Sequence, residues 1–389
     1  MKKQILKLTS YAAMVAVAAL AFTACSEAES TSNDFTFNEV DGEYYMSGYV
    51  SGNVTLESDK SYRITGPVVV MDGGVLTVPA GMTITAESEF SAYILVAQGG
   101  KMYVNGTSSS PVKFTTADSD VDARWGGIIV NGYAPISGAL SSNNIGSTEI
   151  SNGYKYGGSD VSDNSGSFTY MQLDKTGQRS SSDVEHNGLT LNGVGNGTVI
   201  ENLYVTSPSD DAVEFFGGSV NVTNLLVVNS DDDMFDFTQG YTGTLKNCYG
   251  VWESDFTSAE GDPRGVEADG NLDGLATDTD KNQSDFKIED MTIVVKSSFQ
   301  MHDAIKVRRG AKATITNALV MGSGEVKDLI DLVDSKGDAA AGTSVNVTYS
   351  SINLSNEKTV TDESIYSLTV GGSNSGATTS VFSWTGYNF

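Results

Sequence analysis

The chain of 389 residues carries 49 acidic against 23 basic residues, a formal net charge of −26, with only 2 cysteines. Such an acid excess repels polyanions, which excludes nucleic acid as a partner, and so few cysteines exclude a disulfide-stapled scaffold. The length exceeds what one small core fills, yet a periodic chain of this size extends as one elongated domain.

The first residues read as an address. Lys2, Lys3 and Lys7 precede an apolar run from Leu8 to Ala24 that ends in small residues. This is the pattern of a secretory signal, too short and wrongly flanked for a stable span. Leu20-Ala-Phe-Thr-Ala-Cys25 resembles a bacterial lipobox, with Phe22 where Leu is commoner. The resemblance implies a signal peptide over 1–24 and an acylated N-terminal Cys25, anchored in the outer membrane by chains worth about 0.8 kcal/mol per buried methylene. Residues 25–34, acidic and polar, read as a tether. Acidic residues directly behind the lipid cysteine are similar to the surface-export signal of Bacteroidota lipoproteins. Removal of the signal leaves 20 basic and 49 acidic residues, a net charge of −29. Cys248 is then alone, excluding an intrachain disulfide, and its apolar surroundings make it a small core residue.

From residue 35 onward the periodicity predicts a single domain to 389, with 35–65 as an N-terminal cap. Gly66-Pro-Val-Val-Val-Met71, Gly74-Val-Leu-Thr-Val78, Met82-Thr-Ile-Thr85, Tyr93-Ile-Leu-Val96, Lys101-Met-Tyr-Val104 and Val112-Lys-Phe-Thr115 are short strands, most of them separated by Gly or Asn turns. Such runs without a helical period suit an all-β fold, a right-handed single-stranded parallel β-helix whose coils stack at about 4.8 Å. Residues 135–165 and 254–284 read as long surface loops leaving the regular coils. The aromatic tail, 376–389, is expected to cap the C-terminal end.

Gly74-Val-Leu-Thr-Val-Pro-Ala-Gly81, Trp125-Gly-Gly-Ile-Ile-Val-Asn-Gly132, Asp210-Asp-Ala-Val-Glu-Phe-Phe-Gly-Gly218 and Gly265-Val-Glu-Ala-Asp269 carry a resemblance to a large, mostly uncharacterised family of Bacteroidota surface lipoproteins. The resemblance spans roughly residues 45–320. It implies a right-handed parallel β-helix and supplies no activity.

Repeats dominate the middle of the chain. Asp211-Ala-Val-Glu-Phe215 returns as Asp233-Met-Phe-Asp-Phe237, 22 residues later, then as Asp303-Ala-Ile-Lys-Val307 and Asp328-Leu-Ile-Asp-Leu332. Strand alternation sends Val213, Phe215, Phe235, Phe237, Ile305 and Ile330 inward. The outward column is then Thr190, Glu214, Asp236, Glu267, Lys306 and Asp331, and the slot before each row holds both histidines, His186 and His302. Asn202, Asn224, Asn247 and Asn317 predict a coil-to-coil asparagine ladder. Asp211, Asp233, Asp303 and Asp328 read as turn-capping scaffold.

Like charges on neighbouring strands repel. Glu214, Asp236 and Glu267 therefore call for compensation by Lys306, by a cation or by raised pKa values, unless they form a solvated acidic face. We take Glu214, Asp236, Glu267 and Lys306 as a ligand-facing column. A second candidate is Asp269-Gly-Asn-Leu-Asp-Gly274 with Asp280, where Asp269, Asn271, Asp273 and Asp280 match positions 1, 3, 5 and 12 of an EF-hand calcium loop and Gly274 supplies the turn. Asp replaces Glu at the last position, and no helices flank it. Asp118-Ser-Asp-Val-Asp122 is a weaker version.

Three functional classes fit. The leading one is a non-catalytic, lipid-anchored module that binds glycan or another cell-surface partner, stabilised by calcium, with Tyr154, Tyr156, Tyr170 and Trp252 available to stack on sugars. The second is a calcium-dependent polysaccharide lyase or glycoside hydrolase using Glu214, Asp236 and Lys306, since carboxylates on adjacent coils lie near the separation retaining glycosidases use. The third is a structural surface-assembly subunit.

Overall fold

The computed structural model describes residues 35–137, 145–180, 184–271 and 282–389. Cys25 and the proposed signal and tether lie outside the described residues, as do Asp273 and Asp280.

Alternation of apolar and polar residues with turn residues between the runs gives strands, and the strands wind into the right-handed parallel β-helix the sequence predicts. In the central coils each turn contributes one short and one long strand. The short strands are Leu189–Asn192, Val213–Phe216, Phe235–Thr238, Arg264–Ala268, Met301–Lys306 and Glu325–Asp331, each parallel to the next. The long strands are Val199–Thr206, Asn221–Val228, Thr244–Trp252, Asp285–Val295 and Lys312–Gly322, likewise parallel.

Every long strand is bent by one residue in the left-handed region. Asn202, Asn224, Asn247, Asp290 and Asn317 have φ between 52° and 60°, a conformation that Asn and Asp tolerate better than other side chains. Pairing skips the bend: Glu201 faces Thr223 and Leu203 faces Leu225. The earlier strand Gly166–Asp174 shows the origin of the device, because its first half pairs with Lys101–Asn105 and its second with Val112–Thr116. One bent strand thus does the work of two, and each coil has three faces. Asn224 Nδ2 donates to Asn202 Oδ1 at 3.0 Å, and Asn247 Nδ2 to Asn224 Oδ1 at 2.9 Å. The expected asparagine ladder is therefore present over these three. Asp290 occupies the next rung and accepts from Asn317 Nδ2 at 2.7 Å.

The interior is filled by the inward columns. Phe215, Phe237 and Phe286 stack from coil to coil with ring centroids 5.0 and 4.3 Å apart, and Trp125 and Trp252 are fully buried. Trp252 and Tyr156 are therefore core residues, which removes them as sugar-stacking candidates.

At the N-terminal end Thr36–Val40 runs antiparallel to Glu43–Val50 and covers its edge. The tail behaves otherwise than expected. Phe382 is buried among Tyr204, Leu226, Val228, Tyr249, Val251 and Val294, and Thr378 N donates to Asn247 Oδ1 at 2.7 Å. The aromatic residues at 376–389 thus fold back along the flank of the long strands, where outward apolar side chains need a cover, instead of closing the C-terminal end. The loop after residue 135 also returns. Gly146–Thr148 and Ser151–Tyr156 form a hairpin, pinned by buried Tyr156, whose hydroxyl donates to Gln239 Oε1 at 2.6 Å and whose ring packs on Ile136 and Phe216.

Candidate functional site

The short strands put Thr190, Glu214, Asp236 and Glu267 side by side in register, as the repeat alignment requires. They do not form a solvated face. Glu214, Asp236 and Glu267 line a cavity of about 250 Å³ together with Glu149, Glu185, Asn187, Asp210, Asp211, Asp232 and Asp233. Glu149 comes from the turn of the returning hairpin, and Glu185 from the loop before the repeats. Neither position belongs to a periodic segment, so the sequence offered no signal for them. The turn residues Asp211 and Asp233, read as scaffold, do cap a turn: Asp233 N donates to Asp211 Oδ1 at 2.9 Å. They also face the cavity, because the turn leads directly into the acidic strand.

The counter-charges stand at the edges. Arg179 lies 3.4 Å from Asp210 and 3.5 Å from Glu185 at one rim. At the other, Arg264 holds Glu267 at 2.6 Å and approaches Asp233 at 4.0 Å, and Arg308 also pairs with Glu267. Nine carboxyl groups and one amide form the wall, with no lysine or arginine among them.

Burial pushes these carboxyls up, and their neighbours push them further. Asp211, Glu214 and Asp233 are held well above the ordinary carboxylate range, Glu214 by burial first and then by Glu149 and Asp236. Burial, with the Asp269 charge behind it, raises Asp236 to about 7. Asp232 is raised to about 7 by burial and then Glu260, and Glu149 to about 7 by burial and then Glu185. Contact with Asp236 adds to the rise at Glu214. Some polar atoms have no partner. Asn187 is 2 % exposed and spends its Nδ2 on Glu214 Oε2 at 2.5 Å and Thr190 Oγ1 at 3.3 Å, while its Oδ1 is unpaired, as are Oδ1 of Asp232, Asp233 and Asp236.

Lys306 is placed differently from the expectation. Its ammonium pairs with Asp331 and donates to the Val333 carbonyl at 2.8 Å, so it neutralises the following coil and does not line the cavity. The physical reason is reach: Asp331 is its register partner on the next strand, while Glu267 is already taken by two arginines. The calcium-loop reading is weakened at its first ligand. Asp269 Oδ1 accepts from Arg308 Nε and Oδ2 from Arg309 Nη1, both at 2.7 Å. A cation there would have to displace two guanidiniums. Asn271 is buried, and the remaining ligands, Asp273 and Asp280, lie outside the described residues. In the weaker loop, Asp118 and Asp120 accept from the backbone amides two residues on, as ordinary turn caps. The histidine slot divides. His186 is buried beside Phe90 and Tyr93, with Nε2 3.0 Å from the Phe90 carbonyl, whereas His302 is half-buried between Asp303 and Lys327.

Three carboxylate triads among the described residues have ligand atoms close enough to hold a metal ion: Asp210–Asp211–Asp232, Asp211–Glu214–Asp236 and Asp303–Asp328–Asp331. The first two belong to the cavity. The donors around it are oxygens only, which suits a hard divalent cation such as calcium over zinc or copper.

No curated protein matches the chain. Among solved structures it is similar to the catalytic domain of a GH87 α-1,3-glucanase in complex with tetrasaccharides, at 14 % identity and a TM-score of 0.30 over 85 % of this chain and 62 % of that one. A second such complex gives 13 % identity and a TM-score of 0.33 over 83 % of this chain and 68 % of the other. The chain thus covers less than two thirds of the first of these domains, and at such scores neither likeness bears on activity. The family model of the pectate-lyase-like β-helix domain matches residues 48–387, nearly the whole described chain, and the protein belongs to that family.

Proposed function

We propose that this protein is an exported surface module, anchored in the outer membrane through Cys25, that binds a glycan or another cell-surface partner on its acidic face with calcium as the resident cation. The observation that carries the reading is the cavity wall: three carboxyl groups on adjacent strands of a parallel sheet, Glu214, Asp236 and Glu267, and six more from the adjoining turns and loops, with arginines at the rims. A cation in such a wall removes like-charge repulsion and offers its open coordination positions to hydroxyl or carboxylate oxygens of a ligand. The family's description as pectate-lyase-like supports a saccharide as that ligand. A glycan array probed with and without calcium tests it. Calcium-dependent binding is expected, and an array blank under both conditions, together with a blank array of surface proteins, contradicts it.

A polysaccharide lyase or hydrolase is the second reading, favoured by one observation. Glu214 and Asp236 face each other on adjacent coils and line the cavity, both with pKa values raised first by burial. Carboxyl groups with raised pKa values are the residue type that acid–base cleavage of a glycosidic bond uses. Lys306, the base the sequence offered, is bound to Asp331 away from the cavity. If a cleavage activity is detected and the double variant Glu214→Gln with Asp236→Asn leaves it unchanged, this second reading fails.

A further inference from the structure

We propose that the cavity seats two divalent cations, one in the Asp210–Asp211–Asp232 triad and one in the Asp211–Glu214–Asp236 triad, with Asp211 as the ligand common to both. This rests on the calcium reading above and specifies its stoichiometry and its central residue.

The geometry comes first. Calcium holds oxygen ligands at about 2.4 Å, so two oxygens on one ion stand up to about 4.8 Å apart. In each triad the three ligand atoms lie within 4.8 Å of one another. The two triads meet in Asp211, whose two oxygens allow one carboxylate to serve neighbouring ions. Asp211 owes its place to the repeat. It opens its row, two residues before Val213, so it lies between Asp210 on its own turn and Asp236 on the next coil.

A second observation, independent of the acids, points to a ligand. Asn187 is a neutral side chain in the wall, 2 % exposed. Both directions of its Nδ2 are used, on Glu214 and Thr190, which fixes the orientation of the amide. Its Oδ1 is left buried without a partner, and burying an amide oxygen unpaired is unfavourable. A hard cation satisfies such an oxygen. Asp233, also 2 % exposed, has an unpaired Oδ1 in the same wall. Both oxygens belong to residues of the same wall as the two triads.

The third triad answers its charge with partners from the chain, although Asp303 Oδ1 is likewise buried without one. Asp303 receives Arg264 Nε at 3.0 Å, Asp331 receives Lys306, and Asp328 accepts from Asn356 Nδ2 at 2.9 Å and Thr359 Oγ1 at 2.6 Å. Each of its carboxylates has a cation or donors from the chain. In the cavity triads, by contrast, among the described residues only Asp210 has a basic side chain within 4.0 Å, Arg179 at the rim. The same fold with the same acidic repeat thus answers repulsion with its own cations in one place and leaves it open in the other.

The test is a count. The full chain is stripped with chelator, reloaded with calcium chloride, and the bound calcium is read by native mass spectrometry. Two ions per chain are expected. Asp232→Asn and Asp236→Asn should each retain one, and Asp211→Asn none; Asn keeps the Oδ1 that accepts the Asp233 amide, and an unchanged circular dichroism spectrum checks the fold. A single ion in the parent chain overturns the paired site while leaving the calcium reading in place. No ion overturns both. Retention of one ion in Asp211→Asn overturns Asp211 as the shared ligand. The parent count needs no variant, so misfolding of any one of them does not protect the proposal.

Discussion

At the scale of single residues, the protein concentrates electrostatic cost in one place. Glu214 and Asp236 sit opposite each other on paired strands with no basic side chain between them. Removing one charge should therefore stabilise the cation-free protein. Asp236→Asn is expected to raise the melting temperature in chelator, by up to about 1 kcal/mol of stability, and to lower the gain from calcium. An unchanged melt in chelator would mean that protons alone already settle the repulsion. The pH dependence carries the same information. Asp232 and Asp236 are raised to about 7, and Asp211, Glu214 and Asp233 are also well above the ordinary carboxylate range, against an unfolded value of about 4. Between these values the folded chain holds protons that the unfolded chain has released. The contribution of these groups to stability is thus complete below pH about 4 and is lost as pH rises through about 7. His186, lowered to about 4 by burial, acts in the opposite sense and is lost as pH falls from about 6.5. Melts in chelator should drop between pH 5 and pH 7.5, and the double variant Glu214→Gln with Asp236→Asn should flatten that drop. The outward column was legible in the sequence because strand parity dictates it. Glu149, Glu185 and Arg179 were not, since residues in aperiodic loops reach a site only through tertiary packing.

At the scale of elements, the bent long strand and the tail matter most. The bend places a side chain in the left-handed region, costing roughly 1–2 kcal/mol for a residue other than Gly or Asn. Asn224 has φ 60° and bonds to both neighbouring rungs. Asn224→Ala should lose both the conformational tolerance and the ladder, destabilising by about 2–3 kcal/mol. Asn224→Gly loses the ladder alone and should cost less; equal losses in urea melts would assign the whole effect to the hydrogen bonds. The spacing of Asn202, Asn224 and Asn247 revealed this ladder, but Asp290 was hidden because Asp reads as a turn or surface acid and the preceding insertion breaks the beat. The tail was misread for a related reason. An aromatic segment announces that it packs somewhere, but its sequence does not say against which surface. Deleting 376–389 should uncover Leu226, Tyr249 and Val251 and increase binding of a hydrophobic dye to the folded chain. A truncated chain with unchanged dye binding would show that the flank needs no cover.

At the scale of the whole molecule, one scaffold separates two tasks. Inward residues such as Phe215 and Phe237 supply cohesion without reference to ligand, and the opposite parity of the same short strands supplies Glu214, Asp236 and Glu267 to the acidic wall. The period of 22 residues made that scaffold readable, since inward and outward residues alternate by necessity. What closes the wall into a cavity is the returning hairpin, and nothing periodic encodes it. A rigid scaffold of this kind can bear unneutralised charge because packing elsewhere holds it, and binding of a cation then shows as added stability. The most direct measurement is a calcium-titrated melt of the full chain at neutral pH. The melting temperature should rise with calcium, by an amount equivalent to about 2.7 kcal/mol at a hundred times the dissociation constant, and Asp211→Asn should abolish the rise. A melting temperature indifferent to calcium, in a chain first stripped by chelator, would contradict the assignment of this cavity as a cation site.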